Sequence, residues 1–385
     1  MNLDHLIQFA SQRELDCLTA LQEHGSNTKG AAAIGLARRS FDRHMVRLRT
    51  KASKTLVAEH ASIDRVPEGF GIVGTTTLQK EGKQVLQWVK TSATKEAEYA
   101  NMKAFVEAMC AEITPEASVD ELPAAPEKDL CNLYTFTDYH LGMLAWDKEG
   151  GAPWDLKIAE DLLWSSFQRM VNASPAAESC VINIQGDFLH SDGFVPVTPA
   201  HKHVLDAAGR FPQIVDVAIR VLRKLICYAL KKHSLVHLII VEGNHDEASS
   251  MWLRKMFSAL YEDEPRLKVN DSELPFYIYQ HGDIMLAFHH GHKANNEQLP
   301  MLFAAQFPKT WGDTTKRYCH TGHRHHLDEK EYAGMTVTQH PTLSARDAYA
   351  ARGGWISERS AMGITYHVRA GQVGRVFISP KLLEQ

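Results

Sequence analysis

The tightest constraint on this chain is a set of short stretches, spread over roughly half its length, that end in metal-binding side chains. They are Asp138-Tyr139-His140, Gly186-Asp187, Gly243-Asn244-His245-Asp246, and the histidine-rich pair His290-Gly291-His292 and Gly322-His323-Arg324-His325. Three of them follow an apolar run of strand character. Carboxylates, an amide and imidazoles at the ends of neighbouring strands are placed to converge on divalent cations. The fold must therefore present several strand ends on one side, as α/β layered domains do.

The rest of the second half agrees. From Leu130 onward, strand-like runs alternate with helical patterns. Strands are expected near Cys131–Phe136, Cys180–Gln185, Leu235–Val241, Ile284–Phe288, Arg317–Thr321 and Met335–Gln339, and helices over Leu156–Val171, Val204–Lys232, Ser249–Tyr261 and Glu297–Phe307. At 385 residues the chain exceeds one small domain, and 44% apolar residues supply a sizeable core. A net charge of −4 rules out a polycation, so any contact with nucleic acid must come from local charge. Six scattered cysteines form no C-x-x-C pair and predict free thiols in a reducing compartment. The opening residues lack the apolar core of a secretory signal, and no apolar run approaches the roughly 20 residues of a spanning helix. A cytoplasmic protein without membrane contact is expected.

The N-terminal part has a different character. Leu15, Leu18 and Leu21 recur at helical spacing, and Gly25-Ser26-Asn27-Thr28 marks a stop and a new start. A short helix Thr28–Ile34 ends at Gly35, and a third runs from about Ala37 to Ala52. Phe41, Met45 and Leu48 form its apolar face, and Arg38, Arg39, Arg43, Arg47, Arg49 and Lys51 face Asp42 alone as countercharge. Three helices with a basic third one resemble a helix-turn-helix, which makes Arg38, Arg39, Arg43 and Arg47 the candidate DNA contacts. A solvated basic helix, or a protein-binding module of the same shape, is the plainer alternative. Gly71–Val73 and Val85–Val89 predict a β-hairpin, and Thr94–Ile113 a helix. The expected domains are residues 1–60, a connecting module 61–113, a Pro- and Ala-rich linker 114–128, and a catalytic domain 129–385.

The motifs D-x-H, G-D, G-N-H-D, H-G-H and G-H-x-H, in that order, resemble the calcineurin-like metallophosphoesterase superfamily over roughly residues 130–345. The resemblance implies a two-layered β-sandwich flanked by helices. It implies two metal ions about 3.5–4 Å apart, which make hydroxide from water and neutralise a phosphate. Carried over by motif, Asp138, His140 and His325 bind one ion, and Asn244, His290 and His323 the other. Asp187 bridges them. His245 is the general acid, and Asp246 orients its ring. Gly186-Asp187-Phe188-Leu189-His190 is similar to the matching segment of the double-strand-break repair exonucleases, which gives His190 a supporting catalytic role. Mixed imidazole and carboxylate donors favour Mn²⁺, with Fe, Zn²⁺, Mg²⁺ or Ni²⁺ as alternatives. Arg346 is either a phosphate clamp or an ion-pair partner of Asp347 or another carboxylate.

The two parts together resemble phage- or prophage-encoded metallophosphoesterases with a DNA-binding head. The expected activity is metal-dependent hydrolysis of DNA, as an endonuclease or exonuclease, with DNA as partner and homodimerisation open. The alternative is a phosphatase or small-molecule phosphodiesterase whose N-terminal domain binds a protein. A DNA-binding regulator without activity is disfavoured, because no expected ligand is missing.

Overall fold

The chain divides into two units, Met1–Ile113 and Thr114–Gln385. The computed structural model describes residues 6–7, 10–48, 70–80, 83–93, 119, 126–200 and 202–383, with the strands between 70 and 93 as backbone only. In the first unit, helix α1 (Gln12–His24) starts at Ser11, whose backbone N–H donates to the Glu14 carboxylate at 2.9 Å. It stops at Gly25, whose φ of 72° is left-handed. Helix α2 (Asn27–Ala33) begins at Ser26, and α3 occupies residues 38–48. Cys17, Leu18, Ala31, Phe41, Met45 and Leu48 form their shared core. Strands β1 (Phe70–Lys80) and β2 (Lys83–Ala93) pair antiparallel. They run longer than the apolar residues suggest, since the flanking threonines also suit a strand. The end of the third expected helix, the Thr94–Ile113 helix and most of the expected linker lie outside the described residues.

The second unit is governed by period-two alternation. A six-stranded sheet contains β3 (Glu127–Phe136), β4 (Ala177–Ile184), β5 (Leu235–Ile240), β6 (Leu267–Val269), β12 (Ala361–His367) and β13 (Gly371–Ile378), in the order β13-β12-β3-β4-β5-β6. A five-stranded sheet contains β7 (Tyr277–His281), β8 (Ile284–Phe288), β9 (Lys316–Thr321), β10 (Asp328–Tyr332) and β11 (Met335–Gln339), in the order β10-β11-β9-β8-β7. Strands β3 to β6 are mutually parallel, as are β8, β9 and β11. In β8, Ile284, Leu286 and Phe288 join Cys131, Leu133, Val181, Ile239, Met362, Ile364 and Tyr366 of the first sheet in one cluster. Met285 and Ala287, on the opposite face, meet Leu299 and Phe303 of the helix Leu299–Gln306. One face of β8 therefore fills the space between sheets, and the other is roofed by a helix. Helix Leu156–Ala173 packs on β3, β12 and β13, and helices Phe211–Leu230 and Glu247–Leu260 pack on β5. The expected two-layered sandwich with flanking helices is thus observed.

Apolar runs locate the central strands but not the edges. Strand β10 reads Asp-Glu-Lys-Glu-Tyr, is mostly polar, and has β11 as its ladder partner, with Arg375 of β13 paired to its Glu329 at 2.6 Å. The last pair, β12 and β13, returns to lie beside β3, a non-local pairing with no local signature. Two boundaries also move. The helix expected from Val204 begins at Phe211, because Pro212 falls in its first turn and the Gln213 side chain accepts the Arg210 N–H at 2.9 Å. Residues before it run alongside the loop after β3, with Leu144 N–H on the Asp206 carbonyl at 2.9 Å. Strand β3 starts at Glu127, inside the stretch expected to be linker. There too, Val119 N–H donates to Glu264 at 2.9 Å and its carbonyl accepts from Arg266 at 2.5 Å.

Leu286 is fully buried between the sheets. Leu286→Ala should cost about 2–5 kcal/mol through lost transfer energy and a residual cavity. Urea unfolding should show a lowered midpoint with unchanged slope, whereas the exposed Leu274→Ala should stay within about 0.5 kcal/mol of wild type.

Candidate metal centre

Each expected ligand lies two to four residues past a strand end. Asp138 and His140 follow β3, Asp187 follows β4, Asn244 follows β5, His290 follows β8, and His323 and His325 follow β9. Turning a side chain back over the strand end demands an uncommon backbone. Six non-glycine residues among those described have left-handed φ, and five are expected ligands: Asp138 (48°), His140 (48°), Asp187 (49°), His323 (73°) and His325 (57°). A non-glycine residue held there costs on the order of 1–3 kcal/mol.

Surrounding hydrogen bonds fix these conformations. Asp138 N–H donates to the Gly186 carbonyl and His140 N–H to the Asp187 carbonyl, both at 3.0 Å. The Asp138 carbonyl accepts from Thr342 Oγ1 at 2.8 Å and Ser344 Oγ at 3.0 Å. The His325 carbonyl accepts from Ser357 Oγ at 2.6 Å. Thr342 and Ser344 were not foreseen. Their only signal is two small hydroxyl residues just past β11, a few positions before Arg346. That arginine donates from Nε to the Gly150 carbonyl at 3.2 Å, and Asp347 accepts the Ala350 N–H at 2.7 Å, so the expected ion pair between them does not form. Close approach matters as well. A Cβ on Gly243 would fall on the Asp187 carboxylate, and one on Gly322 on Thr137 and Asp138.

The donors form two groups around Asp187. Asp138, His140 and His325 lie together, as do Asp187, His290 and His323, with their donor atoms mutually within 4.8 Å. His290 Nδ1 donates to the Gln185 carbonyl at 2.8 Å, because a carbonyl can only accept. That leaves Nε2 facing Asp187 at 3.3 Å and Asp138 at 3.7 Å. Two atoms test whether cations fit. His290 Nε2 and Asn244 Oδ1 are buried without a hydrogen-bond partner. A buried amide oxygen without a hydrogen bond, and an imidazole nitrogen turned toward two buried carboxylates, are groups that a divalent ion would satisfy. The residues present fit two ions.

Electrostatics agree. Burial raises the Asp138 carboxyl, but His325 and His290 outweigh it and hold the group low. Burial likewise opposes ionisation of Asp187, and His290 reverses the sign. Burial works against a proton on His290, yet Asp187 and Asp138 push it up to about 10. Burial and the neighbouring His245 keep His140 neutral.

The ring of His245, the expected general acid, is held differently from expectation. His245 Nδ1 meets the His190 carbonyl at 2.9 Å and must donate there, so Nε2 is its exchanging atom. Asp246 does not touch this ring nitrogen. Its carboxylate accepts the N–H groups of Phe188 at 2.8 Å, Leu189 at 3.0 Å and Gly243 at 3.0 Å. The orienting role assigned to Asp246 is therefore corrected: the His190 carbonyl orients the ring, and Asp246 clamps the loop carrying that carbonyl. The His190 ring stacks on His245 with centroids 5.7 Å apart, and its Nδ1 lies 3.4 Å from His140 Nδ1. Burial and His245 lower His190 to about 3, so it sits neutral against the centre. Asp192 accepts from Ala248 N at 2.8 Å and Ser249 N at 2.7 Å, capping the helix that follows His245. His292 is not an ordinary surface residue. Its side chain is only 9% exposed, and its ring centroid lies 5.3 Å from that of His290.

The candidate DNA contacts lie in the other unit. Arg39, Arg43 and Arg47 are exposed on the side of α3 opposite the buried Phe41, Met45 and Leu48. Arg38 departs from them. Its Nη1 donates to Thr28 Oγ1 at 2.6 Å and its Nε lies 3.5 Å from Asp42, so it ties α3 to α2.

The proton on His290 must leave when an ion binds there. Apparent metal affinity should rise with pH from about 6 to about 9, with about one proton released at this ligand. Calorimetry in buffers of different ionisation enthalpy should detect the release. A pH-independent affinity would remove His290 from the ligand set.

No family profile matches the chain, and no curated protein does. Among solved structures it is similar to a predicted phosphoesterase from Streptococcus pneumoniae, at 11% identity over 66% of this chain and 91% of that one, with a TM-score of 0.29. It is also similar to an archaeal phosphodiesterase, at 11% identity over 64% and 99%, with a TM-score of 0.33. Wild-type Vps29 complexed with zinc, from Entamoeba histolytica, shares 13% identity over 64% and 98%, with a TM-score of 0.30. Likeness at this level carries none of the residue assignments above. The strand-end clusters, closed over two facing sheets, rest on this chain's own geometry.

Proposed function

We propose that this protein is a dimetal phosphodiesterase that hydrolyses DNA. The observation that carries the reading is the strand-end donor set, with Asn244 Oδ1 buried without a hydrogen-bond partner and His290 Nε2 turned toward the buried Asp138 and Asp187. Asp138, His140 and His325 would hold one ion, Asn244, His290 and His323 the other, and Asp187 both. Once bound, two such ions neutralise phosphate oxygens and activate the attacking water. Mn²⁺ is the preferred pair, on the mixed donor set.

The chain's own residues do the rest. His245 gives the proton on Nε2 to the departing oxygen. Its ring is held from two sides, by the His190 carbonyl at Nδ1 and by the stacked His190 ring. DNA is favoured over a small ester by the exposed Arg39, Arg43 and Arg47 face of α3, opposite that helix's apolar side. A DNA-binding head on the same chain raises the local concentration of substrate.

Circular single-stranded, circular duplex and linear DNA, incubated with Mn²⁺, Mg²⁺ or chelator, give the direct test. Metal-dependent cleavage should fall at least about 100-fold in His245→Ala, the size of a lost general acid. Cutting of circles marks an endonuclease, and cutting of linear DNA alone an exonuclease. If every DNA survives while a chromogenic phosphate ester is cleaved, the protein is instead a phosphatase or small-molecule phosphodiesterase. Arg39→Ala with Arg43→Ala should weaken DNA binding and reduce its salt slope by about two, with ester hydrolysis kept. An unchanged slope would take α3 out of the DNA interface.

A further inference from the structure

Exposed aromatic rings gather on one side of the larger unit. Among the described residues, the strongly exposed ones are Trp146 (62%), Phe194 (54%), Tyr349 (73%), Trp355 (57%) and Phe377 (46%). Phe377 lies on the edge strand β13. The other four lie in the segments that follow the carboxyl ends of β3, β4 and β11, with Tyr349 in the short helix Ala348–Arg352. Those are the ends that carry Asp138, His140 and Asp187, and the Thr342 and Ser344 hydroxyls that hold Asp138 in place. Four of these five rings lie in segments that leave the strand ends of the metal centre, and exposed rings grouped in this way mark a binding surface.

The rim is continuous with the centre. Ser357, two residues after Trp355, donates to the carbonyl of the ligand His325 at 2.6 Å. Tyr349 and Trp355 meet edge to face at 5.1 Å. Arg352 pairs with Glu149 at 3.0 Å, and Arg346 bonds Gly150, which joins this segment to the loop carrying Trp146. Lys148 Nζ lies 5.4 Å from the Trp146 ring centroid. Aromatic faces interleaved with cations, beside a centre suited to phosphodiesters, match the chemistry of single-stranded nucleic acid.

We propose that Trp146, Tyr349 and Trp355 form a stacking platform for unpaired nucleobases next to the scissile phosphate, which makes single-stranded DNA the preferred substrate. This rests on the DNA phosphodiesterase reading. Stacking tolerates any base and needs the base out of a duplex, so the rim supplies strand selectivity without sequence specificity.

The test uses the full chain with Trp146→Ala, Trp355→Ala, their combination, and Trp355→Phe as the conservative variant. Substrates are a thymidylate oligonucleotide, a blunt duplex, and bis(p-nitrophenyl) phosphate, which is too short to reach the rim. Quenching of tryptophan fluorescence by the oligonucleotide, in chelator, reads binding without turnover. The double variant should raise KM for the oligonucleotide about 5- to 100-fold, the range for lost base stacking. Trp355→Phe should keep most of the affinity, and Trp146→Ala alone should give a partial loss. Equal losses on duplex and oligonucleotide would overturn the proposal, as would wild-type KM in the double variant. So would a wild-type dimer that dissociates in the double variant, since the rim would then be a subunit interface. If the wild type cleaves the small diester but neither binds nor cuts the oligonucleotide, the DNA reading itself falls. If it cuts the oligonucleotide and the rim variants do so equally well, only the platform falls.

Discussion

Two carboxylates buried side by side set the terms for everything around them. Asp138 is fully buried and Asp187 nearly so, and one imidazole nitrogen reaches both, at 3.7 and 3.3 Å. Removing an ionised carboxylate from water costs several kcal/mol even after relaxation. Part of that is offset by donors aimed at the anions: His323 N–H and Thr137 Oγ1 on Asp138, and His245 N–H on Asp187. The remainder falls to cations. In the free chain the proton on His290 is one. Divalent ions, as proposed, would be a fuller answer, since Asn244 Oδ1 is also buried without a hydrogen-bond partner.

That arrangement needs a backbone that would not form unaided. Five residues of the expected ligand set are left-handed, and each resists the conformation by a small but real amount. Such strain persists only where rigid elements over-determine it. The rigidity comes from the inter-sheet core, where β3, β4 and β5 are locked against β8 through fully or nearly fully buried side chains. The loop after β11 adds the Thr342 and Ser344 hydroxyls, which fasten the Asp138 carbonyl from a third direction. Fold and site are therefore one problem: the sandwich supplies the stiffness that lets ligands stand at strained strand ends.

What could be seen beforehand follows from range. The central strands were legible because a buried strand needs an apolar run, and the ligands were legible because their residue types cluster at the ends of those runs. Strand β10 was not, since a polar edge strand has no such run. The pairing of β12 with β3 joins residues more than 200 positions apart, so no local pattern encodes it. Side-chain partners were least legible. Arg38 looked like one more exposed cation, but Thr28 and Asp42 hold it. Asp246 looked like the partner of the histidine beside it in sequence, but the turn points its carboxylate at backbone N–H groups of another loop.

The last point changes how the proton donor is controlled. A carboxylate bonded directly to Nδ1 would govern His245 by itself. Here a peptide carbonyl does so, and a carbonyl aims the ring only as well as its own loop is held. Asp246 holds that loop, tying Phe188 and Leu189 to Gly243, and burial beside Asp187 pushes its carboxyl up to about 7. Asp192 closes the ring of contacts by fastening the far end of the same loop to the helix after His245. The His245 ring is thus positioned by a triangle of backbone contacts between the loops after β4 and β5. Asp246 acts on it at one remove, through the peptide groups it binds rather than through the imidazole.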